Sequence, residues 1–500
     1  MSNAYRQSVH LVTDGNEVRA HYVPERCSVR QQVLGEVPLW RLNAPCKPLI
    51  RALLNLRLNS IIGIAATLFV AGCSSHVQPT KRIESALTDS HVLDFQASPE
   101  EMSVATDWPQ LFGPERTCFS LEHPVNTRWG SAGPEEAWRA SVGTGYSSPV
   151  VSSNRVILMH RQGDSEIIQS FDAQSGDSQW SFSYPTDYVC KYEYSSGPYS
   201  SPHIVGDRVF AIGAQAQLWC LNVADGSVVW HRDLKQEYEL EEQLFGFGAS
   251  PWIENGMLIL NVGASKMEAG IVSFDCETGK TLWTATNHKA SYATPIATTI
   301  HGERYLFVFT YDGLVALNPQ DGVVRWIEPF KSKSIDTVNA TSPATWKNFV
   351  VVMHGPGAGA KCFKVNEDGS HELVWKDRRV LDSQFNSLLS REGYLYGFTA
   401  KRAGGAAFRC IDFTTGKLQW SINSDLQRGS CIAVKDRIIL WGEDGRLGVI
   451  DLDPRSASGF TITENCLLEK PCYASPALAS KKLFLRNEHY LIALDLAPQD

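Results

Sequence analysis

The chain has 500 residues, 43% hydrophobic and 20% charged, with 14 Trp and a formal net charge of −8. That balance lacks the basic face a general nucleic-acid binder needs, and no apolar run reaches the ~18 residues of an ordinary membrane span. The length suits several ordinary domains or one large repeat array, and the aromatic content leans toward β structure.

Residues 1–72 read as an extension ending in a targeting segment; the first stretch, to about residue 50, looks like neither signal nor domain. The run "RALLNLRLNSIIGIAATLFVAGCSS" opens with Arg51 and Arg57, holds an apolar core from Ile61 to Val70, and closes in small residues before Cys73. That is the build of a secretory signal. Val70-Ala71-Gly72-Cys73 resembles the bacterial lipobox, which makes Cys73 the expected lipidation site. Ser74 after it, rather than Asp, implies an outer-membrane anchor facing the periplasm. Such signals sit at the start of a chain, so a translation start near Leu53 to Leu58 is expected. The polar residues 73–106 read as a flexible tether, and 107–500 as the folded domain.

From there a motif repeats. "FDAQSGDSQW" carries Asp172, Gly176 and Trp180; "LNVADGSVVW" carries Gly226 and Trp230; "FDCETGKTLW" carries Asp275, Gly279 and Trp283. "LNPQDGVVRW" follows with Gly322 and Trp326, and "IDFTTGKLQW" with Asp412, Gly416 and Trp420. A looser copy, "VNEDGSHELVW", ends at Trp375, and "IDLDPRSASGF" at Phe460. Neighbouring copies stand roughly 40 to 53 residues apart, a propeller or solenoid period. Asp or Asn before the turn bonds backbone amides, Gly supplies a positive φ, and Trp packs on a neighbouring unit. Cys276 and Lys280 stand where other copies vary, so the motif is structural rather than catalytic.

A second signal keeps the same time. Ser148-Pro149, Ser201-Pro202, Ser250-Pro251, Thr294-Pro295, Ser342-Pro343 and Ser475-Pro476 each open an apolar run, with Ser387-Leu388 and Ser430-Cys431 in the same place. Each run is followed by a polar turn and a short β-branched or aromatic strand, such as "RVILMH" or "RIILWG". Eight units of about four strands predict an all-β, eight-bladed β-propeller. The last unit lacks a fourth strand, while "EEAWRASV" around Trp138 precedes the first, so an N-terminal strand should close the ring.

Nine Cys follow Cys73. Cys220 and Cys410 sit in apolar runs, where Cys acts as a small hydrophobe. Cys466 and Cys472 are able to pair in an oxidising compartment. No CxxC pair occurs, and no metal is predicted. "GPGAGAK" (355–361) lies between two strands and reads as a Gly-rich turn, not a phosphate loop.

The Asp–Gly–Trp pattern resembles the PQQ-type propeller repeat of quinoprotein alcohol dehydrogenases, with its tryptophan-docking motifs, over about residues 108–500. "DWPQLFGPERTCFSL" leading to "GTGYSSPVV" resembles a less characterised bacterial group with the same propeller. A lipobox joined to such a propeller is similar to the BamB family of the outer-membrane β-barrel assembly machinery. That resemblance implies a monomeric, membrane-anchored, non-catalytic scaffold whose partners are envelope proteins. The dehydrogenases hold PQQ with a vicinal Cys-Cys disulfide, calcium and a catalytic Asp. No Cys-Cys dipeptide occurs in this chain, so no cofactor is expected. A PQQ-dependent or other small-ligand dehydrogenase, and a polysaccharide-binding propeller, stay open as alternatives.

Function is expected in the loops opposite the Asp–Gly–Trp turns. The longest links, 181–200 and 231–249, carry Tyr184, Tyr188, Tyr192, Tyr194, Tyr199, Tyr238, Phe245 and Phe247. Arg161, Lys266, Lys361, Lys401 and Arg402 are placed on the same face. Of these, Tyr188, Tyr192, Tyr194, Phe245, Phe247, Arg161, Lys266, Lys401 and Arg402 form the candidate binding face.

Overall fold

The structure, a computed structural model, describes residues 9–14, 17–22 and 107–498, except 193, 242, 244, 332–337 and 401–404. The chain divides into two compact units, Met1–His76 and Val77–Asp500. In the first, Val9–Asp14 and Glu17–Tyr22 pair as an antiparallel hairpin that the sequence reading did not foresee. The signal, Cys73, the tether, Lys401 and Arg402 lie outside the described residues.

The second unit holds eight blades in a ring. Blade 1 runs outward from the channel as Val150–Ser152, Arg155–Gln162, Ser165–Asp172 and Ser178–Pro185. Blades 2 to 6 repeat this order from inner strands His203–Val205, Trp252–Glu254, Ile296–Ile300, Ala344–Trp346 and Leu389–Arg391. Blade 7 begins at Gly429–Val434, and Phe119–Ser120 adds to it as a parallel fifth strand. Blade 8 takes Ala477–Ala479, Lys482–Arg486 and Tyr490–Asp495 from the C-terminal end and Glu136–Ser141 from the N-terminal side. The predicted closing strand is thus in place, with Trp138 opposite Ala493.

Burial follows strand position. The second strand of blade 1, "RVILMHRQ", is buried on both faces because its sheet is covered by blades on either side, so its apolar run is continuous. The outer strand "SQWSFSYP" alternates, as a strand with one wet face should.

Six tryptophans then tie neighbouring blades. The Nε1–H groups of Trp138, Trp180, Trp230, Trp283, Trp375 and Trp420 donate to Ala173, Val223, Cys276, Pro319, Phe413 and Asp453 carbonyls of the next blade, at 2.8–3.1 Å. Beside each of these indoles except Trp420 lies the turn glycine of the next blade, where a Cβ would stand 2.4–2.9 Å from the ring. Asp172 Oδ1 accepts from the amides of Gln174 and Ser175, bonds that hold its carboxyl below the usual range. In every blade bearing such a Trp, a β-bulge stands between the third and outer strands next to the residue opposite it, turning the indole sideways.

Cys466 and Cys472 are both free thiols, the first exposed and the second buried with its Sγ on Glu469 O, so no disulfide joins them here.

Candidate functional site

The repeated Ser/Thr before proline builds a belt around the channel. Ser475 N–H donates to Ser148 Oγ, Ser148 N–H to Ser201 Oγ, and Ser201 N–H to Ser250 Oγ, at 2.8–2.9 Å. Ser250 N–H donates to Thr294 Oγ1 and Thr294 N–H to Ser342 Oγ, both at 3.0 Å. Five links therefore cross six blades in one direction. In the remaining arc the sense changes: Cys431 N–H donates to Ser387 Oγ, and Ser475 Oγ to Ser430 Oγ.

Two residues before each belt position the chain presents a second ring: Tyr146, Tyr199, Gly248, Tyr292, Ala340, Phe385, Arg428 and Tyr473. Its aromatic members meet one another and the loop aromatics. Tyr146 stands edge-on to Tyr473 at 5.0 Å, and Phe385 edge-on to Tyr473 at 5.4 Å. Tyr194 and Tyr292 each meet Phe245 edge-on at 5.7 Å. The result is an aromatic-walled cup of about 320 Å³ at the channel mouth, with belt residues Ser148, Ser201, Thr294, Ser342 and Ser475 in its lining.

The floor comes from the segment before the first blade. Asp107 bonds Ser152 and Ser153, at the end of the inner strand away from Ser148, and Trp108 pairs with Val151. Leu111 and Phe112 line the cup from below. Arg116, fully buried, donates to Pro251 O at 2.5 Å and Pro295 O at 3.3 Å and lies 4.6 Å over the Trp252 ring. Meeting blades 1, 2, 3, 4 and 7 at or just before their inner strands, this segment plugs the channel.

No Asp, Glu, Lys, Arg or His is among the described residues lining the cup. Arg428, at its edge, donates Nε–H to Glu443 at 2.7 Å and Nη1–H to Gln384 Oε1 at 2.6 Å, with its guanidinium 4.8 Å over Phe385. Burial raises the phenols of Tyr146, Tyr199 and Tyr292, so they stay protonated. They also hold loops. Tyr146 Oη accepts from Ser195 N at 2.9 Å, Tyr199 Oη donates to Ser195 O, and Tyr292 Oη accepts from Phe245 N at 2.8 Å. Among the described residues no group of three His, Cys, Asp or Glu is placed to hold a metal ion.

The sequence-derived candidates separate here. Tyr192, Tyr194 and Phe245 come together in the cup wall. Tyr188 stacks edge-on to Tyr199 at 6.3 Å, behind that wall. Phe247 is in the core between blades 2 and 3, where Gly246 and Gly248 on either side pack so closely that a Cβ would stand 2.8 Å from Ala214 and Tyr292. Arg161 is folded inward too, donating to the carbonyls of Gly163, Tyr188 and Ser196, so it clasps the loop rather than facing a partner. Lys266 is exposed and paired with Glu241 at 2.9 Å; Lys361 donates to Pro329 O at 3.1 Å. Tyr184 lies on the outer strand of blade 1, not in a loop, with its hydroxyl on buried Glu166 at 2.8 Å. Tyr238 is buried at the end of the short helix Leu234–Glu237. Tyr146, Tyr292, Phe385 and Tyr473 were missed, although their fixed offset from the Ser/Thr-Pro signal marks them.

The fold, the blade-to-blade tryptophans and the closing strand define a PQQ-like eight-bladed propeller. Residues 164–422 match the family model described as "Outer membrane protein assembly factor BamB", and the chain belongs to that PQQ-like propeller family. It is 25% identical over 201 residues to outer membrane protein assembly factor BamB of Burkholderia pseudomallei (strain K96243), covering 39% of this chain. That match spans 46% of the relative, about half its length. The crystal structure of BamB from Moraxella catarrhalis has the same fold at 14% identity, with 74% of this chain and 99% of that one covered and a TM-score of 0.52. So has the quinohemoprotein alcohol dehydrogenase from Comamonas testosteroni, at 12% identity, 80% and 82% coverage and a TM-score of 0.55.

Proposed function

We propose that the chain is a non-catalytic scaffold of the bacterial envelope, held at the outer membrane by lipid on Cys73 and facing the periplasm, that binds envelope proteins along its circumference. The observation that carries this reading is the state of the outer strands. In blades 2 to 6 each outer strand is the last of its sheet, and its unpaired edge is a template for strand addition. Along that circumference Val228, Leu282, Ile327, Leu373 and Leu418 are exposed, an unusual run of apolar side chains for a surface with no partner.

Quinone chemistry fits the cup poorly. PQQ carries three carboxylates, and the described lining offers no Lys or Arg to receive them. The chain also has no adjacent Cys pair to cover the ring.

A photo-reactive amino acid at Leu373 or Leu282, in cells making the lipidated protein, tests the scaffold. The expected result is cross-linking to a discrete envelope protein, weakened by Ile327→Lys on the neighbouring blade. Absence of any cross-link from these strands, or PQQ-dependent dye reduction by the purified chain, overturns the reading. Palmitate labelling that persists in Cys73→Ala overturns the anchor.

A further inference from the structure

We propose that the cup at the channel mouth is a binding site for a neutral saccharide, a site separate from the outer strands and independent of the scaffold reading. Three properties of the cup select the ligand class. Its described lining has no charged side chain, and the one guanidinium at the edge is already held by Glu443 and Gln384. An ion entering would therefore lose water with no opposite charge in the described lining to offset the loss. Its walls are rings, among them Tyr146, Tyr194, Phe245, Phe385 and Tyr473, and ring faces suit the apolar C–H faces of a sugar. Its volume of about 320 Å³ lies at the small end of the usual range for small-molecule sites.

The hydroxyls of the lining decide between a sugar and a purely apolar guest. Ser148, Ser201, Thr294 and Ser342 each accept one N–H from the neighbouring blade, which leaves each hydroxyl its proton to donate. All four line the cup. A hydrocarbon or phenyl group seated there would strip water from these hydroxyls without returning a hydrogen bond, at about 1–3 kcal/mol for each one left bare. A polyol returns those bonds while its C–H face lies on the rings. The belt is also rigid, being fixed blade to blade, and the plug residues Leu111 and Phe112 close the floor. A ligand thus meets a preformed blind cup and pays little to order it.

The test titrates the full detergent-solubilised chain with cellobiose, maltose and N,N′-diacetylchitobiose by calorimetry, up to about 10 mM, which detects a Kd near 1 mM. The expected result is saturable binding of at least one of these, weakened about tenfold by Tyr194→Ala. Ala340→Trp, which adds a large ring to the cup lining, should abolish it, with the unfolding midpoint unchanged in both variants. No binding of any of the three overturns the proposal. So does binding that survives Ala340→Trp, or binding of N-acetyltryptophanamide in the cup while all three sugars fail.

Discussion

Trp283 of blade 3 lies across Gly322 of blade 4: its Nε1–H donates to Pro319 O at 3.1 Å, and a Cβ on Gly322 would stand 2.4 Å from the indole. Blade 5 departs from this arrangement. Its turn closes from Asn366 to Gly369, one residue shorter than Asn318 to Gly322, and a Cβ on Gly369 would meet only Tyr305 Oη at 3.8 Å. Both glycines have a positive φ, +73° and +79°. Gly369→Ala should therefore cost only the left-handed penalty of about 1–2 kcal/mol. Gly322→Ala adds a ring that must move, for about 1–3 kcal/mol more. Denaturant unfolding of the two variants should separate them in that order, and equal losses would refute the ring contact.

The short turn also leaves Trp326 without its carbonyl. Its Nε1 is buried with no acceptor among the described residues, and the indole instead stacks on His371 at 4.1 Å. Replacing Trp283 by Phe loses a hydrogen bond worth about 1 kcal/mol and strands a carbonyl. Replacing Trp326 by Phe removes a donor that was already unpaired. Trp326→Phe should be the milder change by about 1–2 kcal/mol, read from the shift in urea midpoint at constant slope.

The ring architecture was legible because it is written eight times. A Trp that docks on a neighbour and a Gly under it recur in most blades and a Ser or Thr at the channel in all eight, so Trp180, Gly226 and Ser201 declare themselves by spacing. The loops occur once each, and their side chains are sorted by tertiary contact. Nothing in "SFSYP" says that Tyr184 is strand and Tyr192 is cup. That follows from strand Ser178–Pro185 running on to pair with Ser165–Asp172. Arg161 read as a surface cation because its three carbonyl partners come from its own turn and a distant loop. The cup was half legible: Tyr146 and Tyr473 keep a constant distance from the Ser-Pro pair. The shortened turn of blade 5 was visible as a looser motif, but its consequence for Trp326 was not.

Acid should weaken the propeller through its buried histidines. His160 Nδ1 accepts from Gly143 N–H at 3.0 Å and Nε2 meets Gln169 Oε1 at 2.8 Å. Burial lowers its pKa from 6.5 to about 4, and does the same to His354. The unfolded chain takes up protons below about 6.5 while the folded chain resists until about 4. Stability present above the first value is therefore lost as pH falls across that window, at up to about 1.4 kcal/mol per pH unit for each group. Glu166, whose buried carboxyl is held up by desolvation, acts in the opposite sense, losing stability as pH rises. The share of His160 is thus the difference between the parent and His160→Gln, whose amide oxygen still accepts from Gly143. Denaturant midpoints at pH 7, 6 and 5 should converge for the pair as pH falls; a constant gap would show that His160 does not titrate there.

Trp138 is the latch of the whole ring. It sits on the one strand that reaches blade 8 from the other end of the chain, paired with Tyr490–Asp495, and its Nε1–H donates to Ala173 O of blade 1 at 3.0 Å. Trp420 makes the equivalent bond to Asp453 O at 2.9 Å, but its strand is joined by a short turn to its partner in the same blade. Truncating either indole to Ala should cost about 3–5 kcal/mol from lost packing. Their modes of failure should differ, because only the strand carrying Trp138 can detach without opening a hairpin. Trp138→Ala should make the stretch 123–135 sensitive to limited proteolysis and free the closing strand, leaving blade 8 with an open edge and the protein prone to associate. Trp420→Ala should lower the unfolding midpoint with the digestion pattern of the parent. Identical fragments from the two variants would mean that the ring is held shut by strand pairing alone.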